Sequence, residues 1–360
     1  DRTNGLPLEE ETIAEVFKTN GYRTAAIGKW HLGSRDEQHP NNRGFDLFYG
    51  MKAGGRDYFY NEKKSDRPGD ERNLLLNDRQ VKFEKYLTDA FSEKAVEFIN
   101  ESSQPFMMYL AYNAVHTPMQ ATDEDMAKFE GHPRQKLAAM TYALDRGVGT
   151  VIRGLKDSGK FDNTLIFFLS DNGGATTNQS SNYPLKGFKG NKFEGGHRVP
   201  YFVVWKNGIP AGKPYDGLVS SLDIFATAID AASISKTRNR LDGVSLLPYL
   251  KGKKGEPHKV LYWRKMDTRA IRSGDYKLII THGVDSVLYN IRRDPEEMNN
   301  LINKEPDLYH KLAKKLAKWE KNECIEPSWL EEGWRKITNR YHQQLMHNEI
   351  KTAQDLYKKK

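Results

Sequence analysis

A cation and an imidazole stand one residue apart in Lys29-Trp30-His31, just after the compact apolar run Ala25-Ala26-Ile27. Three further strings carry groups of the same kind. They are Asn113-Ala114-Val115-His116-Thr117-Pro118, Ser170-Asp171-Asn172-Gly173-Gly174, and the lysine-rich stretch Lys186 to Pro200 with Lys189 in it. Lys29 and Lys189 are suited to neutralising the oxygens of an anionic ester as charge moves in a transition state. His116 is suited to protonating a leaving alkoxide, and His31 to moving a second proton. Asp171 and Asn172 place a carboxylate and an amide oxygen side by side, a hard-ligand pair for Ca²⁺ or Mg²⁺. Each string taken alone has a plainer reading: a solvated Lys and His, a turn histidine before Thr-Pro, an Asp-Asn-Gly turn, a lysine-rich surface loop.

The elements around these strings give the residues a common place. Residues 8–20 read as an amphipathic helix with acids in its first turn and Gly21 where a C-cap is wanted. Residues 23–28 read as a buried strand, 34–85 as polar loops over the site, and 88–100 as a helix burying Phe91, Ala95, Phe98 and Ile99. Strands are expected at 106–112, 164–169 and 201–205, with helices at 134–155 and 218–232. Strands alternating with helices predict an α/β fold with a doubly wound, mostly parallel sheet flanked by helices. In such sheets ligands bind at the carboxyl ends of the strands, and the strings above follow or precede strands.

After Gly252-Lys253-Lys254-Gly255 the pattern changes. Short strands at 260–263, 268–272, 276–280 and 287–289, then an amphipathic helix at 305–319, predict a smaller C-terminal α+β subdomain with an antiparallel sheet. The expected division is 1–255, 256–320, and a helical extension with a disordered basic tail over 321–360.

The 360 residues are 38% hydrophobic and 29% charged, which excludes a disordered chain, and no apolar run approaches the ~20 residues of a membrane span. The net charge of +8 suits an acidic substrate, but much of it lies in Lys311, Lys314, Lys315, Lys318 and 358–360. No nucleic-acid motif accompanies it, so no nucleic-acid partner and no membrane insertion are expected. Cys324 is the single cysteine, which excludes an internal disulfide and a cysteine-based zinc site.

The run Gly21 to Gly33 resembles the second signature of the sulfatase family, the calcium-dependent type I sulfatases of the alkaline phosphatase superfamily. The resemblance extends over most of the chain, through Arg43-Gly44-Phe45-Asp46, Leu241 to Leu246, Arg269 to Arg272, Gly274 to Leu278 and Asp294-Pro295-Glu296. It implies that Lys29 contacts the sulfate and the nucleophile, and that His31 hydrogen-bonds the nucleophile and helps regenerate it. It implies that His116 faces the ester oxygen as general acid. Lys189, five residues before Glu194-Gly195-Gly196, fits the second sulfate-binding lysine, and Asp171 and Asn172 fit two metal ligands. The cofactor implied is Ca²⁺, with Mg²⁺ as the alternative. The implied substrate is a sulfated carbohydrate or an aryl sulfate.

One departure matters. The family's nucleophile is a formylglycine made within a Cys/Ser-x-Pro-Ser-Arg string, and this sequence contains no such string; Cys324 is followed by Ile-Glu-Pro. The paired aspartates of the family's first strand are also absent. The resemblance places both upstream of Asp1, so a truncated sulfatase that folds poorly by itself is expected. Two other functions fit these residues: a phosphonate or phosphate ester hydrolase of the same superfamily, and an inactive module that binds sulfated glycan. Asn41, Asn42, Arg43, Arg56, Tyr58, Tyr60 and His197 lie in loops expected to line the pocket. A periplasmic, extracellular or lysosomal location is implied by the family alone.

Overall fold

The computed structural model describes residues 5–178, 180–235, 237–324 and 332–358. The first four residues, the string 325–331 and the last two lysines of the expected basic tail lie outside them. In chain order the elements begin with helix α1 (Ile13–Thr19), strands β1 (Arg23–Lys29), β2 (Leu47–Met51), β3 (Leu75–Leu76) and β4 (Arg79–Gln80), and helix α2 (Leu87–Glu101). Strand β5 (Phe106–Ala111), helices α3 (Asp123–Ala127) and α4 (Gln135–Asp157), and strand β6 (Ile166–Leu169) follow. Then come α5 (Glu194–His197), β7 (Tyr201–Val204), α6 (Asp223–Ala231) and α7 (Leu247–Leu250). The chain continues with β8 (Val260–Lys265), β9 (Thr268–Ser273), β10 (Tyr276–Thr281), β11 (Asp285–Asn290), α8 (Pro306–Glu323), α9 (Glu332–Met346) and α10 (Asp355–Lys358).

These elements form two compact units. The first comprises Asp1–Leu165, Val204–Ala211 and Ser221–Leu247. Its sheet runs β4-β3-β2-β1-β5, with β1 parallel to both β2 and β5 and the short β3 and β4 antiparallel. Ala25, Ala26 and Ile27 are buried because β1 lies inside this sheet. A Cβ on Gly28, whose φ is +109°, would meet the Ala111 carbonyl oxygen at 2.0 Å, so β1 and β5 require glycine there. Helix α1 starts with a capping box between Thr12 and Glu15 and ends before Gly21 at φ +81°, the expected C-terminal signal. Helix α2 buries Phe91, Ala95, Phe98 and Ile99 completely, the face its spacing predicts.

Strand β2 is a departure. Its run Leu47-Phe48-Tyr49-Gly50-Met51 falls inside the stretch expected to be loops, because polar residues and glycines surround it. It pairs with β1 from Ala25↔Leu47 to Lys29↔Met51. Strands β6 and β7 also differ from expectation: they form a two-stranded sheet of their own, and β6 begins at Ile166.

The second unit comprises Ile166–Val203, Gly212–Ser220 and Pro248–Lys360. Its four-stranded antiparallel sheet, ordered β11-β10-β9-β8, is buried on both faces. Strand alternation sends Ile271, Leu278 and Leu288 toward Leu312 and Leu316 of α8. Trp319 of α8 stacks on Tyr262 at 4.9 Å. Ala270, Ile279, Val287 and Tyr289 face the other way and meet Phe188, Phe193, Leu345, Met346, Ile350 and Ala353. The stretch beyond residue 321 is therefore no loose tail where it is described. Helix α9 and the segment after it bury four apolar side chains, each worth about 1–3 kcal/mol of transfer free energy.

Candidate active site

In the first unit Lys29 ends β1, opposite Met51. Trp30 is buried, and its indole N–H donates to the Gln38 carbonyl at 3.0 Å, which anchors the turn between Lys29 and His31. His31 has φ +54°, a left-handed conformation uncommon outside glycine, and its backbone N–H donates to the Lys52 carbonyl at 3.0 Å. His116 follows β5. Its Nδ1 lies 2.8 Å from the Thr117 carbonyl oxygen, which only accepts, so Nδ1 carries the hydrogen and Nε2 remains for proton exchange. Tyr58, wholly buried, has its hydroxyl 2.7 Å from the Asn113 carbonyl and 3.0 Å from that of His116. Burial raises the pKa of that phenol, so it stays a donor beneath the His116 turn.

The loop leaving β2 brings the two histidines together. A Cβ on Gly54 would lie 2.6 Å from Cε1 and 2.7 Å from Nε2 of His31. A Cβ on the next residue, Gly55, would lie 3.2 Å from His116 Nδ1. Consecutive glycines thus let two imidazoles rest against one backbone segment. Sequence reasoning did not single out Gly54 and Gly55; their adjacency was the available signal.

In the second unit Asp171 and Asn172 follow β6, with Asp171 exposed and Asn172 half-buried. The Asn172 amide nitrogen donates to the Gly173 carbonyl at 3.0 Å, leaving its oxygen as the ligand atom. Gly173 N–H donates to the Gly196 carbonyl at 3.1 Å, and a Cβ on Gly173 would strike the Gly195 oxygen at 1.8 Å. Lys189 is exposed, and its backbone N–H donates to the Gly174 carbonyl at 3.0 Å. The Asp-Asn turn and the Lys189 loop are therefore laced together by backbone bonds. Among the described residues no cluster of three or more His, Cys, Asp or Glu side chains is placed to hold a metal ion. Asp171 and Asn172 fit a hard cation as two of the six to eight oxygens that Ca²⁺ takes.

A buried ion cluster holds this loop from below. Lys277 of β10 lies 2.8 Å from Glu194 Oε1 and 2.9 Å from Glu297 Oε1, and the Glu194 N–H donates to Glu297 Oε2 at 2.6 Å. Burial works to raise the Glu194 pKa, but the Lys277 charge overrides it and holds this carboxyl below the usual range. Burial raises that of Glu297. Lys186 donates to the Glu297 carbonyl at 3.0 Å, and Gly187 N–H to the Lys351 carbonyl at 2.7 Å.

The residues expected to line the pocket are mostly committed to the fold. Arg43 is 2% exposed and binds Glu15 and the Leu6 and Pro7 carbonyls. Arg56, also 2% exposed, makes a bidentate pair with Asp66 at 2.7 and 2.8 Å. Asn41 donates to the Phe45 carbonyl, Asn42 to that of Asp36, and Tyr60 to Glu62. His197 stacks on Trp263 at 4.6 Å, and burial pushes its pKa down to about 3.

His342 on α9 makes the second unit sensitive to acid. It is fully buried, and burial lowers its pKa to about 4, with the charges of Lys192 and Lys265 adding to the effect. The unfolded chain takes up this proton near pH ~6.5, so it binds more protons than the native state between about pH 6.5 and 4. Stability therefore falls with pH across that window, by about 3 kcal/mol from this group. Urea midpoints measured from pH 7 to 4 should show this slope, and His342→Gln should reduce it, leaving the contribution of the half-buried His197.

The description "Sulfatase" belongs to a family model that matches residues 1–234, and "N-sulphoglucosamine sulphohydrolase, C-terminal" to one that matches 189–322. The Uncharacterized sulfatase YdeN of Escherichia coli (strain K12) is 37% identical over 296 residues, covering 73% of this chain and 51% of that protein. The N-acetylgalactosamine-6-sulfatase of Canis lupus familiaris is 31% identical, covering 76% of this chain and 55% of its own. The crystal structure of Ps i-CgsB in complex with k-i-k-neocarrahexaose is 35% identical with TM-score 0.84, covering 95% of this chain and 80% of that one. The chain spans about half the length of the curated relatives it matches.

Proposed function

The chain belongs to the sulfatase family, and on that premise we propose that the protein containing it hydrolyses sulfate esters on a sulfated glycan. The observation that supports this reading is the Lys189–Gly174 backbone bond, which ties the backbone of Lys189, the proposed sulfate-binding residue, to the turn that carries Asp171 and Asn172. Lys29 and Lys189 set positive charge against the sulfate oxygens as the S–O bond breaks. His116 Nε2 delivers a proton to the departing alkoxide, since Nδ1 is held by Thr117. His31, braced on Gly54, takes the proton of the attacking hydroxyl. Asp171 and Asn172 would hold Ca²⁺ or Mg²⁺, which when bound adds charge opposite the sulfate. A formylglycine from outside these 360 residues would supply the nucleophilic hydroxyl. The glycan is the preferred substrate class because relatives are named as N-acetylgalactosamine-6-sulfatase and as a complex with neocarrahexaose. A location outside the cytoplasm fits such a substrate; no helix among the described residues is long and apolar enough to cross a membrane.

The test is steady-state hydrolysis by the full-length protein of matched sulfate, phosphate and phosphonate esters. A large preference for sulfate, with KM raised at least tenfold by Lys189→Ala, is expected. Preference for the phosphorus esters would make it the phosphonate or phosphate hydrolase. Tight binding of sulfated oligosaccharide without turnover would make it a binding module.

A further inference from the structure

Two lysines next to Lys189 lack the partners that buried cations normally have. Lys192 and Lys265 are both half-buried, and among the described residues no carboxylate stands within ion-pair distance of either. Neighbouring Lys277 and Lys186 are fully paired or hydrogen-bonded, so the contrast is local. The Lys265 ammonium lies where a Cβ on Gly190 would meet it at 3.0 Å, one residue from Lys189. Lys189 and Lys265 repel each other, and Lys265 and Lys277 repel Lys192. Burial, with that repulsion, pushes the Lys192 pKa down to about 8, which still leaves it charged at neutral pH. A second observation marks the same place. His342 is fully buried, its Nδ1 bonds the Thr338 carbonyl at 2.9 Å, and its Nε2 has no hydrogen-bond partner among the described residues. Both lysine charges bear on that ring. Like charges gathered in a half-dry site cost stability unless an anion joins them.

We propose that Lys192 and Lys265 form a second anion subsite beside Lys189, which takes a further sulfate or carboxylate on the same glycan that carries the scissile sulfate. The proposal rests on the sulfatase reading for its ligand, and it makes the enzyme selective for polyanionic sugars. Lys189 meets the reacting group, while Lys192 and Lys265 meet a neighbouring one. Such a subsite accounts for three cations on one loop and strand end beside the carboxylate-paired Lys277.

The experiment is calorimetric titration of the full-length protein with two carrageenan-type disaccharides of one backbone, bearing one or two sulfates, with sulfate release followed in the same samples. Wild type should bind the disulfated sugar at least tenfold more tightly. Lys192→Met with Lys265→Met should remove that preference and leave the affinity for the monosulfated sugar within about twofold. The variant should also melt no lower than wild type, because removing unpaired cations relieves repulsion, and the disulfated sugar should raise the Tm of wild type alone. Equal affinity of wild type for the two sugars overturns the subsite, as does a preference that survives in the variant. A lower-melting variant whose preference persists in Lys192→Gln would assign the lysines a packing role instead. Binding of the expected pattern without sulfate release keeps the subsite and rejects the hydrolase.

Discussion

Replacing His116 with Gln lowers kcat for a sulfated sugar by about 10²–10⁴-fold in the full-length enzyme, with little change in KM. The magnitude follows from the alkoxide of a sugar, which leaves poorly without a proton. Thr117 accepts the Nδ1 hydrogen at 2.8 Å, so in the proposed mechanism the other ring nitrogen would deliver the proton. Tyr58 holds the His116 backbone carbonyl at 3.0 Å, and Gly55 packs its backbone beside the ring. Gln keeps the size and the hydrogen bond to Thr117 but supplies no acidic proton. Nitrophenyl sulfate, whose leaving group needs no proton, should lose far less activity. An equal loss on both substrates, measured by steady-state kinetics, would show that His116 only shapes the turn.

Lys277→Met costs about 3–5 kcal/mol of stability, read from the urea midpoint. The methionine fills the space but leaves the fully buried Glu297 without its cation, and leaves Glu194 with only the longer contacts to Arg198 at 3.6 Å and Arg272 at 3.8 Å. The Glu297 carboxyl then has its pKa raised further in the native state, which binds more protons than the unfolded chain. The variant should therefore regain stability as pH falls, over a range where wild type does not. Adding Glu297→Gln removes the stranded charge and should restore part of the loss. Loss of Lys277 also frees Glu194, the first residue of α5, whose glycines grip Gly173. Asp171, Asn172 and Lys189 should lose their fixed geometry, so divalent-cation affinity falls along with stability. A variant as stable as wild type at neutral pH would show that the cluster carries little of the fold.

Much of the fold was legible because it is local. The capping box of α1, the Gly21 stop, the apolar run of β1 and the buried face of α2 depend on residues close in sequence. Strand β2 was not legible, since its pairing partner β1 lies some twenty residues away and its own run is short and glycine-broken. The behaviour of 332–358 was hidden for a related reason. Its spaced Leu345, Met346, Ile350 and Ala353 become a core only when the back of the antiparallel sheet is present to receive them.

Arg43 and Arg56 show the limit of reading chemistry from residue type. Both are cations in glycine-rich loops, as a pocket would want, yet both are sealed against carboxylates and carbonyls inside the first unit. The sequence by itself supplied the candidate chemical groups, since Lys29, His31, His116, Asp171, Asn172 and Lys189 follow or precede strands along the chain. Only the tertiary structure decided how they are held. The Gly54-Gly55 seat for two imidazoles, the Lys277 cluster under α5, and the approach of Lys265 to Lys192 and the Lys189 loop all join residues far apart in sequence. Periodicity reports which face a residue takes within its own element. It carries no information about which distant charge or backbone that face will meet, and those meetings fix the local geometry within each unit.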